Sequence, residues 1–190
     1  MAATSTMLPL GTKVPDFTLP DTLGSTVSVS NYDGIPALLI VFMCNHCPYV
    51  KHIQEPLAQL IREYQPRGVG VIGINPNDFD SYPEDSPEEM AEDIKRLNYT
   101  FPYVYDASQE VAKAFKAMCT PEFYLFDQKR KLVYRGQMDD SRPGNDVPVT
   151  GEDLRDALDA VLAGRPVPKD QKPGVGCSIK WRPGNEPDYT

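Results

Sequence analysis

The feature that most constrains this chain is a junction. Residues 37–43 form an unbroken apolar run rich in branched side chains, and Cys44-Asn45-His46-Cys47 follows at once. A short run of that composition suits a strand buried on both faces, as in a parallel sheet. Beyond Cys47 the period changes: Val50, Ile53, Leu57, Leu60, Ile61 and Tyr64 recur at helical spacing. Two cysteines therefore sit where a core strand hands over to a helix N-terminus. Pro48 fits the first turn of that helix, where no amide donor is needed. Pro56 lies inside it and is expected to kink it.

The rest of the chain repeats the alternation. Residues 14–20 and 26–29 flank an Asp/Gly-bearing turn and read as a β-hairpin. Residues 69–74 form a second buried strand, and residues 75–87 a polar, proline-rich surface loop. Ser86-Pro87-Glu88-Glu89 makes a capping box for a helix to about Leu97. A short strand at residues 103–105 precedes a helix expected to run to about Met118. Strands at 122–126 and 132–135 flank a turn whose basic run, Lys129-Arg130-Lys131, reads as solvated. A last helix from Thr150 carries one apolar stripe through Leu162. Strands alternating with helices imply βαβ crossovers, hence an α/β fold with a central mixed sheet and helices on both faces. Residues 1–164 are expected to form the domain. Residues 165–190, rich in proline and glycine, read as an ordered but irregular C-terminal tail, packed on the domain by Trp181.

Four cysteines in 190 residues are too few and too unevenly spaced for a disulfide framework. One tight pair and two distant singles point to catalysis or metal binding. A thiolate is the nucleophile of disulfide exchange, and a helix N-terminus can lower a thiol pKa from about 8.5 to between roughly 3.5 and 7.5. Cys44 is thus the expected exposed attacker and Cys47 the resolving thiol, with His46 adding charge or a hydrogen bond. The bland alternative is a pair of buried apolar cysteines. Zinc is a further alternative, with Cys44, Cys47, His46 or His52, and Cys119 or Cys177 as ligands. Structural zinc usually pairs two local knuckles, and the sequence holds only one, so no metal or other cofactor is expected.

The Val14-to-Leu19 segment, the core from Val41 to Val50 and Cys119-Thr120-Pro121 resemble the redoxin (AhpC/TSA-type) branch of the thioredoxin superfamily. The chain is most similar to bacterial members with a C-N-H-C-P-Y-V-K active site, here Cys44 to Lys51, and a terminal G-C-S-I-K-W segment, here Gly176 to Trp181. The resemblance implies a thioredoxin-like fold and a cis Thr120–Pro121 bond facing the cysteines. Backbone beside Pro121 would then bind an extended substrate by strand addition. It also places Cys119 near the site, as a packing residue or a further redox thiol. Cys177 is either another redox thiol, resolving or substrate-like, or a tail residue packed with Trp181. Two departures matter. Leu38 stands about where thioredoxins carry a buried acid, leaving no proton acceptor for Cys47. The peroxiredoxin motif P-x-x-x-T-x-x-C lacks its threonine, because Val41 precedes Cys44 by three residues.

The expected function is thiol–disulfide exchange at Cys44 and Cys47 with protein or small-molecule thiols and an electron donor or acceptor. A thiol peroxidase and a non-catalytic peptide-binding module are the alternatives. A net charge of −8 with no basic cluster excludes a phosphate-tracking surface, so nucleic acid is not an expected partner. The longest apolar run is too short to span a bilayer, and residues 1–10 do not read as a secretory signal. The expected compartment is the cytoplasm.

Overall fold

The computed structural model describes residues 1–189. Its elements in chain order are β1 (Ala2–Thr4), β2 (Thr18–Pro20), β3 (Thr26–Ser28), β4 (Ala37–Phe42), α1 (Pro48–Tyr64), β5 (Val69–Asn75), α2 (Pro87–Leu97) and β6 (Tyr103–Tyr105). There follow α3 (Glu110–Ala114), β7 (Cys119–Thr120), β8 (Glu122–Phe126), β9 (Leu132–Gly136), α4 (Glu152–Leu162) and β10 (Val175–Ser178). Five strands form the central sheet in the order β6-β5-β4-β8-β9. β4, β5 and β6 are parallel, joined by α1 and α2, whereas β8 and β9 add antiparallel pairs. β2 and β3 form the expected hairpin.

Every residue of β4 is buried. Successive side chains point to opposite faces, so Ala37, Leu39 and Val41 join one core cluster and Leu38, Ile40 and Phe42 the other. The first cluster takes its helical share from α1, α2 and α4, and the second from α3 and the N-terminal segment. Helices thus cover both faces. In the second cluster Phe115 stands at the centre of an aromatic group, edge-on to Phe17, Phe42, Tyr124 and Phe126 at centroid distances of 5.3–6.1 Å. Among the described residues, no helix is long and apolar enough to cross a membrane.

Three expectations need correction. The tail is not irregular throughout: β10 lies between β1 and β7 in a second antiparallel sheet. Its four residues, Val-Gly-Cys-Ser, show no alternation, and their partners lie far away in the chain. The helix after β6 ends at Ala114, because Lys116 takes a left-handed conformation (φ 51°) and turns the chain back into the core at Ala117. Arg130 is buried rather than solvated, with its guanidinium donating to the Tyr32 carbonyl. α1 runs through Pro56 as a single helix.

The aromatic group makes a direct test of core energetics. Phe115→Ala is expected to lower the unfolding free energy by about 3–5 kcal/mol in urea titration. Leu23→Ala, at a residue 87% exposed, should leave it unchanged within about 0.5 kcal/mol.

Candidate functional site

β4 delivers Cys44 to the rim of the central sheet, and α1 begins one turn later with Cys47 as its N-cap and Pro48 in its first turn. All four cysteines are free thiols. The residue that brings the pair together is Thr120. Its hydroxyl lies 3.2 Å from Cys44 Sγ, and its carbonyl accepts from Cys47 Sγ at 3.2 Å. The Thr120–Pro121 bond is cis, as the resemblance implies.

Neither sulfur is exposed: Cys44 is 2% and Cys47 0% accessible. The expected exposed attacker is therefore buried, and the reason is β10. That strand pairs along β7 with Cys177 opposite Thr120 and Ser178 opposite Cys119. It fills the edge where an extended substrate was expected to add a strand, and β1 closes its far side. Only glycine fits at 176, where a Cβ would lie 2.1 Å from the Thr120 carbonyl oxygen. The Cys177 thiol, half-buried, is the most accessible of the four.

Electrostatics divide the two sulfurs. The hydrogen bond Cys44 gives Cys47 lowers the Cys47 pKa to about 5; the Cys177 side chain and the backbone N–H groups of Val50 and Cys177 add to this against the cost of burial. The same hydrogen bond, then burial and the charge of Asp85, push the Cys44 thiol well above its usual value. Like charges this close cannot both form. The pair loses one proton easily and holds the other. The low value and the high value belong to the pair, with the helix N-terminus favouring charge on it.

The loop between β5 and α2 supplies a group that sequence reasoning missed. Asp85, fully buried, accepts from His46 Nδ1 at 2.5 Å, from the Asn77 amide at 2.8 Å and from the backbone N–H groups of Asn45 and His46. The Asp85 hydrogen bond raises the His46 pKa, more than burial lowers it. Burial pushes Asp85 up, yet the hydrogen bonds from His46 and Asn77 leave its pKa below normal. His46 and Asp85 thus form a close hydrogen-bonded pair, with the His46 ring stacked on Tyr82 (5.6 Å, 7°). Several acids share this loop, and nothing in the spacing singles out Asp85. One donor atom each of Cys44, His46 and Asp85 lies within 4.8 Å of the others. The His46 and Asp85 atoms of that group already bond each other, so that hydrogen bond accounts for the arrangement without a metal. His52 is engaged by Ser141 at 2.7 Å.

Glu122 is the second missed residue. It is fully buried and takes hydrogen bonds from Ser5, Tyr124 and the Met118 and Cys119 amides; burial raises its pKa. An acid opening an otherwise apolar strand was the available signal. Cys119 lies 3.8 Å from Glu122 Oε2, and burial, then the Glu122 charge, push its thiol far up. It sits buried behind the pair.

The AhpC/TSA family model matches residues 10–135. Thiol-disulfide oxidoreductase ResA of Geobacillus thermodenitrificans is 26% identical over 82% of this chain and 80% of its own. A Mycobacterium tuberculosis protein with a provisional peroxiredoxin name is 28% identical over 63% of this chain and 71% of its own. The crystal structure of an uncharacterized conserved protein from Geobacillus kaustophilus superimposes with TM-score 0.95 at 54% identity, covering 97% of this chain and 98% of that one.

The shared proton sets a pH profile. In the reduced protein, thiolate ultraviolet absorbance should appear as pH rises through about 5, well below the about 8.5 of a free thiol. It should be lost as pH falls through the same value. Asp85→Asn should move the His46 titration, followed by NMR, down toward the ordinary value of about 6.5.

Proposed function

Because the chain belongs to the AhpC/TSA family and is a thioredoxin-like redox protein, we propose that it is a thiol–disulfide oxidoreductase cycling between a Cys44–Cys47 dithiol and disulfide. The observation that supports this reading is the placement of both cysteines at the strand-to-helix junction, with Thr120 touching both sulfurs. Cys44 gives up its proton and becomes the nucleophile. Cys44 attacks one sulfur of a substrate disulfide, and the other substrate sulfur leaves as a thiolate and takes up a proton. Cys47 then loses its proton and attacks Cys44 in the mixed disulfide, which releases the second substrate thiol. The substrate gains two electrons and two protons, and the protein gains a disulfide. His46, whose pKa the Asp85 hydrogen bond raises, stands beside Cys44 at the mouth of the site. Thr120 and Pro121 position the pair, and Pro48 sets the first turn of α1. The substrates are protein or small-molecule disulfides, and a separate thiol donor or acceptor returns the pair to its starting state.

A thiol peroxidase is the second reading, favoured by one observation. The threonine missing from the peroxiredoxin motif has a counterpart in space: the Thr120 hydroxyl, 3.2 Å from Cys44 Sγ. Peroxide would convert Cys44 to a sulfenic acid with loss of water, and Cys47 would condense with it, releasing a second water.

Insulin reduction driven by dithiothreitol separates the readings. Cys47→Ser is expected to fall to the uncatalysed background and Cys44→Ser well below the unmutated rate, and a near-normal rate in Cys47→Ser would overturn the exchange reading. Thr120→Val should slow consumption of hydrogen peroxide far more than disulfide exchange if the peroxidase reading is right.

A further inference from the structure

β10 presents a thiol to the redox pair in the way a docked substrate strand would. Cys177 is directly opposite Thr120 in an antiparallel pair. Residues so opposed carry their side chains on one face, with Cβ atoms about 4.5–5.5 Å apart. Thr120 in turn touches both Cys44 and Cys47. Cys47 and Cys177 each shift the other's pKa, and the Tyr49 backbone in the first turn of α1 acts on the Cys177 thiol, so Cys177 lies beside Cys47 at the start of α1. Three sulfurs therefore share one helix N-terminus. They differ in access: Cys44 and Cys47 are sealed, whereas Cys177 is half-buried. A protein partner could not meet Cys44 without displacing a strand held on both sides, by β7 and by β1.

We propose that Cys177 is a third redox thiol that carries the disulfide between the sealed pair and protein partners, through a Cys47–Cys177 bond formed with the tail in place. This rests on the exchange reading above. Starting from the Cys44–Cys47 disulfide, Cys177 loses its proton and attacks Cys47 Sγ. The Cys44–Cys47 bond breaks, the Cys47–Cys177 bond forms, and Cys44 leaves as a thiolate that takes up a proton. No net oxidation occurs, since one disulfide replaces another. A partner dithiol then attacks Cys177 Sγ, expelling Cys47 as a thiolate. The second partner thiol attacks the partner sulfur of the mixed disulfide and releases Cys177. The partner loses two electrons and two protons, and Cys47 and Cys177 end as thiols. Cys47 is suited to its part, because a thiol of low pKa leaves faster and its own pKa is held near 5. Run backward, the sequence reduces a partner disulfide. The ligand recognised at Cys177 is thus an accessible protein dithiol or disulfide, and small disulfides need not use it.

Disulfide mapping tests this on the full chain. Cys44→Ser oxidised with oxidised glutathione should yield a Cys47–Cys177 cross-linked peptide. In the unmutated protein, partial oxidation followed by alkylation should give two populations, one with Cys177 labelled and one with Cys44 labelled while Cys47 and Cys177 are protected. The second measurement does not depend on how the variant folds. If the unmutated protein forms Cys44–Cys47 but Cys177 stays fully alkylated throughout, the relay is overturned and the exchange reading stands. If no Cys44–Cys47 bond forms at all, the exchange reading falls and takes the relay with it.

Discussion

Two sulfurs held within hydrogen-bonding reach can carry one negative charge between them, and the surroundings of this pair are arranged around that limit. The helix N-terminus, the Val50 and Cys177 amides and the Cys44 thiol all favour charge on Cys47. Burial and the carboxylate of Asp85 oppose it on Cys44. The Cys44 proton is therefore the one that must move before Cys44 reacts. No buried acid precedes the pair on β4, where Leu38 stands, so that strand supplies no acceptor for the Cys47 proton. Asp85 is the more delicate element: it raises the Cys44 pKa by like charge and raises the His46 pKa by its hydrogen bond.

The fold was legible where the physics is local. A seven-residue apolar run and a change of period at Cys47 define β4 and α1, and Ser86 caps α2 through its bond to the Glu89 amide as the capping box implies. What was not legible depends on partners distant in sequence. β10 pairs with residues about 60 and 175 positions away and has no alternation, since a strand held between two others in a small sheet need not bury one face. Arg130 reads as surface until its guanidinium finds the Tyr32 carbonyl. At the site, Cys44, Cys47 and His46 announce themselves through the motif, and Thr120-Pro121 and Cys119 through family resemblance. Asp85 and the position of Cys177 do not, because each acts only through a loop or strand brought in from elsewhere.

The expected peptide groove beside Pro121 shows how such a miss changes function. A bare β7 edge would accept any extended chain, through main-chain hydrogen bonds that carry little sequence information. Here that edge is satisfied by the chain's own residues, with Gly176 allowing an approach closed to any larger residue. β10 occupies β7 along Cys119 and Thr120, so a peptide adding a strand there would first have to displace it. The docked tail leaves Cys177 half-buried and, beside the site, a polar cleft lined by His46, Lys51 and Glu84.

Burial also bears on the choice between disulfide and peroxide chemistry. Oxidation of a cysteine beyond sulfenic acid follows thiolate character and exposure. A nearby thiol intercepts the sulfenic acid by forming a disulfide. Cys44 is sealed and has Cys47 at hydrogen-bonding distance, with Cys177 beside Cys47 in turn, so any oxidised sulfur here meets a thiol before it meets a second oxidant. Such an arrangement funnels oxidising equivalents into disulfides whatever their source. On the proposed exchange reading, burial and neighbouring thiols both serve to keep oxidation at the level of the disulfide.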